Sequence, residues 1–274
     1  MCGRFASTRS SKDLSVLFGA RDTTGDAPPP GPNVGPTRDV PVLVTPRASR
    51  APEREGLAPA APEPTLDLVL ARWGLVPSWA KDPGIAAKLI NARWETAATK
   101  PAFRKAWRSR RCAVPVDGWY EWDGEVEWQG RLRRRPWFIG PPDGGGVCLA
   151  GLWELWRPPG EPGADGEPAP WWTTFTVLTT DATDEVGRVH DRAPVLLPDE
   201  AAVRAWIGSG VQGDPAAAAP GLAAPDYGAL EVVPVSPLVN DVRVQEGDLT
   251  APYWPPPGVP QQLELGAGPS AGPL

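Results

Sequence analysis

The sequence predicts an α+β domain whose core is a mainly antiparallel β-sheet or open barrel, with flanking helices and Pro/Gly-rich surface insertions. Strand-like apolar runs outnumber helical stretches along the 274 residues. Most connections between these runs are short, which favours hairpin pairing over βαβ crossovers. The 37 prolines and 30 glycines gather in a few blocks instead of interrupting the elements. Those blocks, at 26–32, 46–64, 141–146, 158–170, 208–225 and 255–274, read as surface insertions and a tail on a compact body. One domain over residues 2–254 with a disordered tail over 255–274 is the expected organisation.

The elements follow in order. Ser10 or Ser11 caps a short helix through Leu14, Val16, Leu17 and Phe18, which Gly19 stops. Residues 40–45 and 66–75 read as strands. A helix at 95–99 precedes a second one with Pro101 in its first turn and Phe103 and Trp107 on one face. Strand-like runs follow at 112–116, 119–122, 136–139, 147–156, 172–180 and 193–197. Asp199 caps a helix carrying Val203, Trp206 and Ile207, and 230–235 forms a last strand.

Composition narrows the function classes. A net charge of −6 argues against indiscriminate nucleic-acid binding. Basic residues nevertheless outnumber acidic ones between Lys100 and Arg135, which permits a phosphate-binding face; a solvated helix end and a basic hairpin are the simpler reading. Most of the 14 tryptophans belong in a core, but several stand beside arginines, leaving room for base stacking. Three cysteines, Cys2, Cys112 and Cys148, form no CxxC pair and no disulfide framework. No run is long enough for a membrane span or a secretory segment, so a soluble protein of a reducing cytoplasm is expected. A single histidine and scattered cysteines argue against a zinc site. Without a Walker loop, a GxGxxG turn or a GxSxG elbow, no cofactor is expected.

The most informative residue is Cys2, directly behind the only methionine. Removal of Met1 would expose an α-amine and a thiol on one two-carbon unit. That pair suits aldehyde capture, in which the amine forms a Schiff base and the sulfur closes a thiazolidine. Both groups titrate within about two units of neutrality and need little activation. A frayed terminus is the ordinary alternative, yet Gly3, Arg4 and Phe5 follow at once.

Other candidates are weaker singly. His190, the lone histidine, stands before a strand where a loop can present it to a cleft; a structural role is the commoner fate of such a residue. Glu121 lies between aromatics in Gly118-Trp119-Tyr120-Glu121-Trp122, where burial would raise its pKa to suit proton transfer. The competing reading is an exposed strand glutamate alternating with core aromatics. In Asn91-Ala92-Arg93 an extended backbone points amide and guanidinium the same way, one to orient a reactant and one to hold a phosphate. A capping Asn and a surface Arg would look alike.

In order, these segments resemble the SRAP family of SOS response-associated peptidases, or abasic-site processing proteins. The resemblance rests on Cys2-Gly3-Arg4-Phe5, the turn at 32–37, Arg72-Trp73-Gly74-Leu75-Val76-Pro77-Ser78-Trp79 and Ile90-Asn91-Ala92-Arg93-Trp94-Glu95-Thr96. It continues through 117–122, Val189-His190-Asp191-Arg192-Ala193-Pro194 and Val235-Ser236-Pro237-Leu238-Val239-Asn240. Seven motifs in register from residue 2 to about 240 are specific where each alone is not.

The resemblance implies a single SRAP-type domain that loses Met1 by self-processing. It implies trapping of ring-opened abasic sites in single-stranded DNA as a thiazolidine on Cys2, shielding the lesion, with lyase-like side activity. It makes Cys2 the nucleophile and gives Asn91 the task of orienting it and the sugar. Glu121 and His190 share the proton transfers. Arg4, Arg93 and Arg192 are implied phosphate contacts, Asn33 a DNA contact in its turn, and Trp73 a residue packing or stacking near the lesion. A monomer without metal or membrane partner, on the nucleoid when bound to DNA, is the matching expectation. The chain departs from the family pattern at Pro32, Trp94 and Ala193. Two rivals remain on the residues alone: a thiol peptidase using Cys2 and His190 on other proteins, and a non-covalent DNA-binding module.

Overall fold

The computed structural model describes residues 2–25, 27–45, 66–160, 169–208, 222 and 225–254. The tail at 255–274 and most of the insertions at 46–64, 158–170 and 208–225 lie outside the described residues. The chain begins with β1 (Phe5–Ser7), α1 (Ser11–Phe18), β2 (Arg21–Asp22), β3 (Gly31–Val34), β4 (Asp39–Val44) and β5 (Asp67–Trp73). It continues through β6 (Asn91–Arg93), α2 (Trp94–Ala97), α3 (Arg104–Ser109), β7 (Arg111–Val116), β8 (Gly118–Trp128), β9 (Arg131–Gly140) and β10 (Val147–Trp156). It closes with β11 (Trp172–Asp181), α4 (Asp184–Val189), β12 (Arg192–Pro194), β13 (Leu196–Leu197), α5 (Glu200–Gly208) and β14 (Glu231–Pro234).

The α+β expectation with mainly antiparallel strands holds. One five-stranded sheet runs β14-β9-β8-β1-β3. In the other, β11, β10, β7, β4 and β5 follow one another by antiparallel pairing, and β5 then returns to β11. That last pairing is parallel, Thr174 opposite Arg72 and Phe175 opposite Trp73. The ring is therefore a closed barrel rather than the open one expected. An odd number of alternating strands can close only through one parallel joint, because the first and last run the same way.

Local chemistry accounts for the helices and for the length of the hairpin. The Ser10 hydroxyl accepts the Asp13 N–H at 3.1 Å and Gly19 turns the chain at φ 56°, so α1 has both expected stops. Asp199 accepts the Ala202 N–H at 2.7 Å and caps α5. The runs expected at 119–122 and 136–139 are the inner ends of one long hairpin, β8 with β9, whose outer half carries Arg131, Arg133 and Arg134. This is the basic hairpin expected from the charge of the stretch; its strand limits carried no further signal, since no buried face imposed an apolar alternation.

The barrel strands bury both faces. Val40, Val42, Cys112, Val114, Phe175 and Val177 pack in one core with Phe5 and Trp119 from the other sheet and with Cys2. Leu43, Ala113, Ala150 and Leu178 point the opposite way, beneath α1, α3 and α5. There Trp94, Trp107 and Trp206 pack with ring centroids 5.0–5.7 Å apart, which explains the unusual Trp94. Arg111 lies in the same cluster, donating to the carbonyls of Trp107 (3.0 Å) and Trp206 (3.2 Å). This Arg–Trp neighbour pair staples a core and offers no stacking face.

Gly118 sets how closely β8 approaches β9. A Cβ there would stand 2.4 Å from the Ile139 carbonyl oxygen and 2.5 Å from the Phe138 ring. Gly118→Ala is expected to destabilise the protein by about 1–3 kcal/mol through overpacking. Thermal unfolding should fall by about 3–10 °C, read by differential scanning calorimetry.

Candidate active site at the amino terminus

The N-terminal strand carries Cys2 into the core. Phe5 pairs with Trp119, and the Tyr120 N–H reaches the Arg4 carbonyl at 2.9 Å. Because the strands are antiparallel, the chain before Arg4 runs alongside the residues after Tyr120, bringing Cys2 beside Glu121. Cys2 is fully buried. Its carbonyl accepts the side-chain amide of Asn91 at 2.6 Å. Burial, and next the charge of Glu121, push the thiol well above its usual pKa, so the resting group is the thiol.

Asn91 is held by its surroundings. β6 pairs parallel to β11 with Asn91 opposite Val177. The preceding Ile90 carbonyl accepts the Trp73 indole N–H at 2.9 Å and the Val177 N–H at 3.1 Å. Trp73 is fully enclosed, its ring centroid 4.5 Å from Phe5 and 6.3 Å from Phe175. It has no surface to stack on a base, so of its two expected roles only packing remains. The Asn91 Oδ1 is buried without a hydrogen-bond partner among the described residues, a free acceptor on the residue that holds the Cys2 carbonyl.

Glu121 is only 2% exposed, which removes the reading of a solvated strand glutamate. Burial raises its pKa to about 7, and the nearby Asp191 adds to the rise while Arg134 opposes it. At neutral pH both protonation states are populated.

His190 ends α4, a helix with no apolar periodicity to announce it. Its Nδ1 accepts the Arg192 backbone N–H at 3.0 Å and lies 2.9 Å from the Asp191 carboxylate. A neutral ring nitrogen cannot serve both. The Arg192 bond places the proton on Nε2, whereas protonation of Nδ1 would pair it with Asp191. Burial lowers the pKa, which favours the neutral ring. Glu121 and His190 both sense Asp191 and Arg134, so these four charges share one neighbourhood.

The expected DNA contacts divide. Asn33 is fully buried; its amide donates to the carbonyls of Asp241 (2.9 Å) and Val244 (3.0 Å), and its oxygen accepts from Arg4 at 2.7 Å. It fastens the loop after Pro237–Asn240 and has no face for DNA. Arg4 is half-buried, bonded also to the Val239 carbonyl at 2.9 Å and lying over Trp122. Arg192 grips Glu95 with two nitrogens (2.9 and 3.0 Å) and also reaches Asp181 and the Thr179 carbonyl. Burial alone would raise the Glu95 pKa; this pairing outweighs it and holds the carboxyl low. Arg192 is thus already occupied, contrary to its expected role as an open phosphate contact. Arg93 alone among the expected cations stands exposed.

Arg93 lines a groove of about 680 Å³ that ends at Asn91 and includes Lys88, Lys100, Phe103 and Trp79, the last 59% exposed. Lys88 and Lys100 carried no sequence signal beyond charge. Tyr227 was also missed: its hydroxyl donates to the Pro194 carbonyl at 2.9 Å, and its burial places it within electrostatic reach of Cys2. A second cavity of about 390 Å³, between α1 and β13, is mostly apolar and includes none of these residues. Among the described residues no group of three or more His, Cys, Asp or Glu side chains is placed to hold a metal, and no helix is long and apolar enough to cross a membrane.

The domain thus combines a buried cysteine near the chain start, a buried carboxyl whose pKa is raised to about 7, and a groove lined by Lys88, Arg93 and Lys100 that shares Asn91 with the cysteine's surroundings. The chain belongs to the SOS response associated peptidase (SRAP) family, whose model matches residues 1–242. It is 31% identical over 204 residues to the abasic site processing protein YoqW of Bacillus subtilis, covering 73% of this chain and 77% of that one. It is 30% identical over 252 residues to the abasic site processing protein YedK of Escherichia coli, covering 92% of this chain and all of that one. A solved structure from Bacteroides thetaiotaomicron shares the fold with a TM-score of 0.68 at 18% identity, over 92% of this chain and 100% of that chain.

Proposed function

We propose that this protein captures abasic sites in single-stranded DNA as a covalent thiazolidine on Cys2 once Met1 has been removed. The observation that carries the reading is the enclosure of Cys2, with its carbonyl held by Asn91 and its thiol beside a carboxyl of pKa about 7. Two of the named relatives are abasic site processing proteins.

The chemistry runs in four steps. Water cleaves the bond between the Met1 carbonyl carbon and the Cys2 nitrogen, freeing methionine and leaving the α-amine. The deoxyribose hemiacetal opens, its ring oxygen gaining a proton while its C1′ hydroxyl loses one, and an aldehyde forms. The amine then adds to C1′ and a water leaves, giving a Schiff base. Last, the sulfur bonds to the same carbon, its proton passes to the imine nitrogen and the five-membered ring closes. A thiol kept protonated by burial suits this order, amine first and sulfur second. Glu121, present in both protonation states, can supply and accept each proton, with the Nε2–H of His190 as a second donor. The open acceptor of Asn91 suits an amine N–H or a sugar hydroxyl. A suppressed thiolate weakens the rival reading as a general thiol peptidase, which needs that anion to attack peptides.

The test is a denaturing gel of the protein with single-stranded DNA bearing one abasic site, alongside intact mass spectrometry. A heat-stable shifted band on the abasic strand alone, from protein lacking Met1, is the expected result; free Cys2 and no band overturns the proposal. Asn91→Ala should keep the fold and slow band formation about 100-fold, because misplacing the nucleophile by about 1 Å has that effect. An unchanged rate in single-turnover kinetics would remove Asn91 from the mechanism.

A further inference from the structure

A second recess flanks the turn that bears Trp79. It measures about 400 Å³ and is lined by Ser78, Lys105, Arg110, Arg157 and Trp171, with Glu154 behind them. Ser78 faces this recess while the adjoining Trp79 faces the groove that ends at Asn91. Lys105 lies two residues beyond Phe103, which lines that groove. The two depressions are thus neighbours across one turn and the start of α3.

The chemistry of the recess is that of a single-strand platform. Trp171 is 60% exposed, and the Arg157 guanidinium lies 4.8 Å from its ring centroid. An exposed aromatic ring backed by a guanidinium accepts an unpaired base of any identity. The acid in the wall does not repel phosphate: Glu154 is 3% exposed, pairs with Arg110 and accepts the Leu155 N–H at 2.9 Å. Among the described residues Lys105 reaches only the Ser78 hydroxyl, at 3.3 Å.

We propose that this recess is a second DNA subsite, in which Trp171 stacks an unpaired base of the strand flanking the lesion while Lys105 and Arg157 hold its phosphates. The inference rests on the abasic-site reading for the identity of the polymer, and it extends the strand path beyond the groove at Asn91.

The experiment measures binding of lesion-free oligothymidylates by fluorescence anisotropy, comparing strands of about 5 and about 15 nucleotides. It is run on the whole protein and on Trp171→Ala and Arg157→Glu, both at exposed positions. Wild-type protein should bind the longer strand more tightly than the shorter. Trp171→Ala should weaken the longer strand about tenfold, as expected for one lost stacked base, and leave the shorter unchanged. Arg157→Glu should also reduce the slope of log affinity against log salt by about 0.7 per lost phosphate contact. Crosslinking of a short lesion strand should be unaffected by either variant.

Equal binding of long and short strands by the wild type, or unchanged binding of the long strand by Trp171→Ala, overturns the subsite. Loss with Arg157→Glu alone also overturns it, since charge without stacking is not this platform. Failure of the wild type to crosslink, with the length effect and its loss in Trp171→Ala intact, would overturn the abasic-site reading and leave the subsite standing.

Discussion

Cys2→Ala is expected to abolish the proposed heat-stable crosslink altogether while leaving the protein folded. Truncating one buried sulfur leaves a small void, at about 1 kcal/mol, well within the stability of a domain this size. The variant separates the two nucleophiles. An alanine terminus still carries an α-amine if Met1 is absent, so the Schiff base can form but the ring cannot close. Borohydride should then trap an adduct that heat otherwise dissociates. Intact mass tells whether Met1 has left, and retention of Met1 by Cys2→Ala alone would assign its removal to this residue. A heat-stable band from the variant would sink the role given to the thiol.

Glu121→Gln is expected to slow crosslinking about 100- to 1,000-fold, the range for losing a placed acid–base group. The same substitution should stabilise the protein above neutral pH. Burial raises the folded-state pKa of Glu121 from 4.5 to about 7, while the unfolded chain keeps a value near 4.5. Between these values the folded form binds the extra proton, so its stability falls as pH rises through that window and the loss is complete above it. The full effect is on the order of 3 kcal/mol. Glutamine, always neutral, escapes it. Thermal unfolding of wild type and variant should therefore agree near pH 4.5 and separate by several degrees at pH 8. Equal midpoints at both pH values would show that Glu121 titrates normally.

The two expected results together would describe a site whose proposed chemistry comes at a cost in stability. A carboxyl near pKa 7 and a protonated thiol are both buried and within electrostatic reach of each other. Trp73 fixes the Ile90 carbonyl ahead of Asn91, and in the proposed reaction would position Asn91 without touching a reactant.

Much of this was legible in the chain. Apolar runs located the barrel strands because both of their faces are buried, and such runs need no partner to be recognised. Ser10, Gly19 and Asp199 located helix ends because capping is local chemistry. Trp119, Tyr120 and Trp122 around Glu121 signalled an apolar setting, and the carboxyl is indeed enclosed. The outer half of the β8–β9 hairpin showed only in its charge, as the basic hairpin, and helix α4 was not legible, since neither carries the periodic apolar face that reports burial.

By itself the sequence determined the candidate residues and their immediate surroundings: Cys2 next to the start, Glu121 among aromatics, Asn91 on an extended segment, His190 beside Asp191. Each follows from residues a few positions apart, where covalent connection limits the geometry. Tertiary structure alone decided that the barrel closes through β5 and β11, that Asn33 is a buried clamp, and that Glu95 occupies Arg192 while Arg93 stays open to the groove. A hydrophobic pattern reports that a face is covered, but not by what. A guanidinium likewise has the same sequence signature whether its partner is a carboxylate 97 residues away or a phosphate.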